Sequence, residues 1–292
     1  MPLTIQVQGT NGPPVDTVAA GNRTAKLLER AAVVAVRAAE DAGHLVRTGA
    51  GRGTRVRAKG ANDVVTQLDL DAETLIVNRL RSAFPTHRII SEEAGLVGSH
   101  SGPYTWLVDP LDGSNNLAIG LPAFVVGIAL CRNRAPVLGV IHDPNRHLTW
   151  SATAHGGVRH RGSTPDFGPR DAERGLVVAW TQGHGLQGAA AMEANRLKSL
   201  LETASQRVLQ LWAPLLCWSL LADGNIDALV GYHAEGVDLP AGTLIAREAG
   251  VAIRDFAGRE FDDRIGGAPP ERTFVAARPD RIQDVLRVVS QS

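Results

Sequence analysis

Residues 106–122, WLVDPLDGSNNLAIGLP, concentrate the side chains of this sequence that could do chemistry. An apolar, strand-like run leads into Asp109, Pro110, Leu111 and Asp112, and the chain then turns through Gly113, Ser114, Asn115 and Asn116. Pro110 has no N–H and a fixed φ, so it ends a β-ladder and favours an extended Asp109 before it. Two carboxylates and the Leu111 carbonyl then stand on one turn, and hard oxygen donors of this kind hold Mg²⁺. Gly113 tolerates close backbone approach and Ser114 is a good N-cap, so a helix is expected to start here with its free N–H groups suited to a phosphate. The same residues also describe an ordinary turn rich in turn formers. The remainder of the chain decides between these readings.

The elements that must position this turn follow from pattern and breakers. Residues 1–21 hold Gly9, Gly12, Pro13 and Pro14 without a sustained helical period, which predicts a loose N-terminal arm. An amphipathic helix is expected over residues 24–42, ending at Gly43. Residues 49–60, GAGRGTRVRAKG, read either as a mobile cationic loop near an anionic substrate or as a solvated surface loop. A helix follows Asp69 and stops before Pro85, and residues 88–95 form a strand whose end presents Glu92 and Glu93. These adjacent glutamates repel each other unless a cation or solvent screens them.

Residues 123–131, 137–141 and 147–152 read as an antiparallel meander with a turn at 133–136. The Gly-, Pro- and Ser-rich stretch 156–168 is the expected domain boundary. Beyond it, strands at 175–180, 226–230, 251–254 and 273–276 alternate with helices at 189–203, 213–222, 238–248 and 279–289, which suggests a second, α/β-type layer. Asp238 opens one of these helices, just before Leu239 and Pro240, where N-capping is a sufficient structural reason for it.

The 292 residues suffice for one large domain or two, with 44% hydrophobic and 21% charged residues marking a globular chain. A formal net charge of zero gives no general electrostatic case for nucleic acid or membrane as partner. Cys131 and Cys217 lie in apolar runs without metal-ligand spacing, so buried free thiols in a reducing cytosol are expected. No long apolar segment or leader-like pattern is apparent, and a cytoplasmic protein is expected.

Asp69 after Thr66, the Glu92 and Glu93 pair, Asp109 and Asp112 in the central turn, and Asp238 with Glu248, Ala249 and Gly250 downstream resemble the inositol monophosphatase family in order and spacing. That family belongs to the lithium-sensitive, metal-dependent sugar phosphatases, and the resemblance covers nearly everything after Thr24. It implies an α+β fold, a layered αβαβα sandwich of the inositol monophosphatase or fructose bisphosphatase type. After the arm at 1–21, an α+β domain at 22–165 would carry most metal ligands, and an α/β domain at 166–292 would add the late aspartate and the substrate rim.

The resemblance also implies roles. Glu92 and Asp109 with the Leu111 carbonyl would hold a first Mg²⁺, and Asp109, Asp112 and Asp238 a second, with a weaker third ion leaning on Glu92. Gly113 and Ser114 would bind the phosphate through their N–H groups, and the Ser114 hydroxyl, paired with Asp69, would orient or deprotonate the attacking water. Two or three Mg²⁺ ions suit a monoester hydrolysis whose acceleration approaches ~10²¹-fold, because cations can clamp both attacking and leaving oxygens. The substrate would be a phosphorylated sugar, cyclitol or related polyol. A 3′-phosphoadenosine 5′-phosphate phosphatase, a fructose bisphosphatase or a catalytically silent binding protein on the same fold are the alternatives. A homodimer is implied as well.

Departures from the family fall on the substrate rim. Ser114 and Leu117 replace Thr and Phe with the chemistry kept. Val237 replaces a Trp, Gly231 replaces the glutamate that contacts inositol hydroxyls, and Gln210, Leu211 and Trp212 replace a Gly-Ser-Ala run after Arg207. Arg207, Tyr232, His233 and Glu235 are therefore the candidate rim residues, and inositol phosphate is not the expected preferred substrate.

Overall fold

The structure, a computed structural model, describes residues 17–50, 56–60, 63–98, 102–162 and 175–291. Most of the expected N-terminal arm lies outside them, but its last residues already belong to a helix. That helix, α1 (Thr17–Gly49), exceeds the expected 24–42 at both ends. Gly43 does not end it. A Cβ there would stand 2.5 Å from Cδ2 of the buried His142, so this glycine serves close packing rather than termination.

Of the basic loop expected over 49–60, residues 51–55 lie outside the described residues. Its last five form strand β1 (Val56–Gly60), paired antiparallel with β2 (Asp63–Thr66). Helix α2 (Gln67–Ala83) starts from Thr66, whose side chain and Asp69 form a reciprocal capping box. Strands β3 (Arg88–Ser91), β4 (Gly95–Gly98) and β5 (Tyr104–Asp112) follow, then the short helix α3 (Ser114–Ala118).

The meander is β6 (Val125–Arg132), β7 (Ala135–Asp143), β8 (Leu148–Thr153) and β9 (Val158–Arg161). Its first turn places Asn133 and Arg134 at φ of 49° and 74°, the two-residue geometry that matches strand twist. These strands build one seven-stranded sheet in the order β4-β3-β5-β6-β7-β8-β9, antiparallel except between β3 and β5. Strand β9 occupies the first half of the stretch expected to be a domain boundary. The boundary at residue 165 lies outside the described residues.

The second sheet uses β10 (Val177–Gln182), β11 (Arg207–Leu209), β12 (Ala228–Tyr232), β13 (Ala252–Arg254) and β14 (Phe274–Ala277) in the order β11-β10-β12-β14-β13. Its helices are α4 (Gly188–Ala204), α5 (Pro214–Ala222), α6 (Leu239–Glu248) and α7 (Ile282–Val289).

Strand alternation sorts the interior into three apolar clusters. Val126, Ile128 and Leu130 of β6 face Ala35, Ala42, Ile76 and Leu80 of α1 and α2. Val125, Ala129 and Cys131 of the same strand face α5 and α6, which also receive Leu229 and Phe274 from the second sheet. Val178, Val230 and Val275 point the other way, onto α4 and α7. The layers are therefore α, β, α, β, α, as the family resemblance implied.

Cys131 and Cys217 are buried free thiols, and burial pushes Cys131 up to about 12. Among the described residues, no helix is long and apolar enough to cross a membrane.

Candidate functional site

Strand β5 delivers two carboxylates to one place by breaking its own period. In a regular strand, residues three apart point to opposite faces. Asp109 pairs with Gly127 and Asp112 with Val125, and the register shifts between them, so Pro110 and Leu111 lie in a bulge. Sequence reasoning ended the ladder at Pro110; instead the strand resumes for one more pair, because the missing proline N–H falls where the ladder is already interrupted. Oxygens of Asp109, Asp112 and Asp238 lie within 4.8 Å of one another.

Each carboxylate is held from behind. The Leu111 N–H donates to Asp109 Oδ1 at 3.0 Å. Asp112 Oδ2 accepts from the backbone N–H of Leu215 at 2.7 Å and of Leu216 at 3.4 Å, supplying the cap that Ala213 cannot give α5. Asp238 stands at the N-cap position of α6, but its side chain makes no capping hydrogen bond. Its carboxyl engages Asp109 instead. The capping role that the sequence alone suggested for Asp238 is therefore not the one it plays.

Burial, first, and then the charges of Glu92, Asp238 and Asp112 hold Asp109 well above the usual carboxylate range. Asp112 is raised likewise, by burial and then by Asp238, against the opposing hydrogen bonds from α5. The strongest influences on both are desolvation and other carboxylates, not basic side chains. Crowded all-oxygen donors, two of them buried and Asp238 half-buried, are costly alone and fit a hard divalent cation.

Glu92 is exposed on the turn after β3, outside this three-aspartate group, yet its charge acts on Asp69, Asp109 and Asp112. Its N–H donates to the Val108 carbonyl at 3.1 Å. What fixes that turn is a residue that sequence reasoning missed. Glu73 is buried on α2, and its Oε1 accepts from the N–H groups of Glu93 at 3.1 Å and Ala94 at 2.9 Å. The available signal was its i, i+4 spacing from Asp69 on one helix face.

Ser114 was expected as the N-cap of α3; Gly113 takes that place, at φ 98°, where a Cβ would meet the Ala123 carbonyl at 2.7 Å. Ser114 is thereby the first helical residue. Its Oγ lies 2.5 Å from Asp69 Oδ1 and 2.9 Å from the Leu111 carbonyl, and donates its single proton to one of them at a time. Asp69 Oδ2 accepts from Thr66 Oγ1 at 2.5 Å and from the Thr66 N–H at 2.8 Å. Burial raises the Asp69 pKa against these hydrogen bonds.

The four rim candidates are not drawn into the aspartate group. Arg207 is exposed on β11, at the edge of the second sheet. Tyr232 stacks on Trp180 with centroids 6.4 Å apart and on His233 at 4.2 Å, against the outer helical layer. Glu235 Oε1 accepts the His184 N–H at 2.9 Å, joining the loops after β10 and β12. At Gly231 a Cβ would stand 2.3 Å from Cε1 of Phe274, which stacks on Trp218 at 5.1 Å, so no side chain fits there. Asn116 of α3 donates to the carbonyls of Ala123 and Leu211, both at 2.6 Å, which brings the segment bearing the exposed Trp212 up to the central turn.

Comparison with known proteins gives a consistent result. The model of the inositol monophosphatase family matches residues 27–291. The chain is 34% identical to "Nus factor SuhB" of Escherichia coli K12 over 267 residues, 87% of this chain and 97% of that protein. It is 31% identical to the Vibrio cholerae protein of the same name over 262 residues, covering 89% and 95%. Among solved structures, an IMPase of Thermotoga maritima superimposes with a TM-score of 0.71 at 26% identity, covering 88% of this chain and 95% of that one. The extragenic suppressor protein suhB of Bartonella henselae shares the fold with a TM-score of 0.77 at 24% identity, covering 89% and 98%.

Proposed function

The chain belongs to the inositol monophosphatase family, and from that premise we propose that it is a Mg²⁺-dependent hydrolase of phosphate monoesters of a sugar, cyclitol or related polyol. The observation that carries this reading is the group of Asp109, Asp112 and Asp238 beside the Ser114 and Asp69 pair. Asp109, Asp112 and Asp238, with Glu92 and the Leu111 carbonyl at the edge, would hold Mg²⁺. When bound, the cations supply positive charge against the phosphate oxygens and the departing alkoxide.

The chain's own residues do the positioning. The N–H groups of Gly113 and Ser114 bind phosphate oxygens at the start of α3. Ser114 Oγ orients the attacking water, and Asp69 accepts the proton that passes through that hydroxyl. Thr66 fixes the second Asp69 oxygen, so the first stays aimed at Ser114. Glu73 holds the turn that carries Glu92. A site of this type accelerates by positioning and charge neutralisation.

The test is phosphate release from a panel of inositol, sugar, bisphosphate and adenosine phosphates, with Mg²⁺ and with the metal chelated. Mg²⁺-dependent release favouring a polyol monophosphate supports the reading. Preference for 3′-phosphoadenosine 5′-phosphate or fructose bisphosphate would select those alternatives, and undiminished release by Asp109→Asn would overturn the assigned ligand set.

A second reading rests on the relatives at 34% and 31% identity that bear the name Nus factor. Under it, the chain performs the Nus-factor role of those proteins, with or without hydrolysis. Replacement of SuhB in an Escherichia coli strain lacking it, by the wild-type chain and by Asp109→Asn, separates the two. Rescue by both assigns the role to the fold's surface rather than to the carboxylates.

A further inference from the structure

The chain has five tryptophans, and four of them, Trp106, Trp150, Trp180 and Trp218, are at most 1% exposed, as is usual for so large an apolar side chain. Trp212 is 58% exposed. Its backbone is unusual as well, with φ at 53°, in the left-handed region that a bulky residue seldom adopts. Such conformations persist where neighbouring structure over-determines them, and they cluster at ligand-binding sites.

The structure that fixes Trp212 is the site itself. Just before it, the Leu211 carbonyl accepts from Asn116 Nδ2 at 2.6 Å, which ties it to the helix that begins with Ser114. Just after it, Ala213 is buried at the N-cap position of α5, and the Leu215 N–H donates to Asp112 Oδ2 at 2.7 Å. Three residues of chain separate Trp212 from that N–H, a span of at most about 11 Å. The residue therefore borders both Ser114 and the aspartate group. Among the described residues no ring stacks on its indole and no hydrogen-bond partner holds Nε1. The neighbouring rim positions are taken up differently. Tyr232 and His233 stack on each other, Glu235 accepts the His184 N–H, and Phe274 fills the space over Gly231.

We propose that Trp212 is the specificity-determining residue for the leaving group, with the C–H face of a cyclic sugar lying flat on its indole while the phosphate sits at Ser114. The proposal deepens the hydrolase reading above and rests on it. One face of a pyranose is an apolar patch of axial C–H bonds, which matches the flat apolar body of an indole, and the Nε1 N–H can donate to a ring hydroxyl at the edge. An open-chain polyol has no preformed face of this kind, and ordering it against the indole costs the freedom of each C–C bond.

The experiment compares Mg²⁺-dependent phosphate release from glucose 6-phosphate and sorbitol 6-phosphate, which share carbon count, charge and a primary phosphate and differ in the ring. The wild-type chain is expected to prefer glucose 6-phosphate by about tenfold or more in kcat/KM, through KM. Trp212→Ala, a truncation in solvent, removes that preference and leaves kcat on sorbitol 6-phosphate within twofold. Trp212→Phe keeps a flat face and restores most of the preference. Equal use of the two substrates by the wild-type chain, a preference that survives Trp212→Ala, or one that Trp212→Phe does not restore would each overturn the proposal and leave the hydrolase reading standing. Release from neither substrate overturns the proposal too, and release from no member of the wider panel overturns the hydrolase reading itself.

Discussion

Asp109 and Glu73 illustrate how differently single residues contribute here. Among the described residues, the charges that act on Asp109 are those of other carboxylates, so Asp109→Asn removes binding capacity for a cation while keeping shape. A loss of at least about 10²–10³-fold in kcat/KM is expected, measured by phosphate release on the best substrate of the panel. Glu73 Oε1 holds two N–H groups of the turn after β3, and a Gln keeps an acceptor there whereas an Ala leaves those donors bare. Glu73→Ala is therefore expected to lower kcat/KM by roughly 10–100-fold, with Mg²⁺ affinity weakened in parallel. Glu73→Gln should restore most of both, and equal losses in the two variants would contradict the positioning role.

Helix α1 and strand β7 meet where Gly43 lies against the buried His142 ring, whose Nδ1 is 2.8 Å from Thr149 Oγ1. Two opposing effects act on Gly43→Ala. Alanine gains about 1 kcal/mol of helix propensity, while overpacking of an interior contact costs about 1–3 kcal/mol. Since backbone and ring are both fixed by packing, net destabilisation is expected in urea unfolding at neutral pH.

The same ring sets a pH dependence. Burial lowers His142 to about 4, against an ordinary imidazole value of about 6.5. The unfolded chain thus binds the proton more tightly. The associated stability is fully present above pH ~6.5 and is lost as pH falls from there toward 4, by up to about 3 kcal/mol. His142→Gln should flatten that limb when unfolding is followed at pH 7.5 and 5. An unchanged acid limb would assign the loss to other groups.

Five layers of helix and sheet place the aspartates at a meeting of β5, α5 and α6, and the whole molecule should therefore feel the metal. Binding at a hundredfold excess over Kd adds about 2.7 kcal/mol, or roughly 5 °C in Tm, for a ligand that only the folded chain holds. Mg²⁺ is expected to raise Tm by that order and chelator to reverse it, with no shift in Asp109→Asn. The homodimer implied by the family resemblance is open to a direct check by sedimentation of the metal-loaded chain.

The order of the carboxylates along the chain, the antiparallel meander with its turn at 133–136, and the two buried thiols were legible in sequence because each rests on local pattern. A strand repeats every two residues. Helix ends were less so: Gly43 looks like a terminator until its contact with His142 is known. Only tertiary structure decided that a bulge turns Asp109 and Asp112 to one side, that Asp238 faces Asp109 rather than capping α6, and that Glu73 holds the turn of Glu92. It also decided that Phe274 fills the space over Gly231. These outcomes depend on residues from 13 to more than 100 positions apart coming into contact, and no local propensity encodes which distant partner a carboxylate will meet.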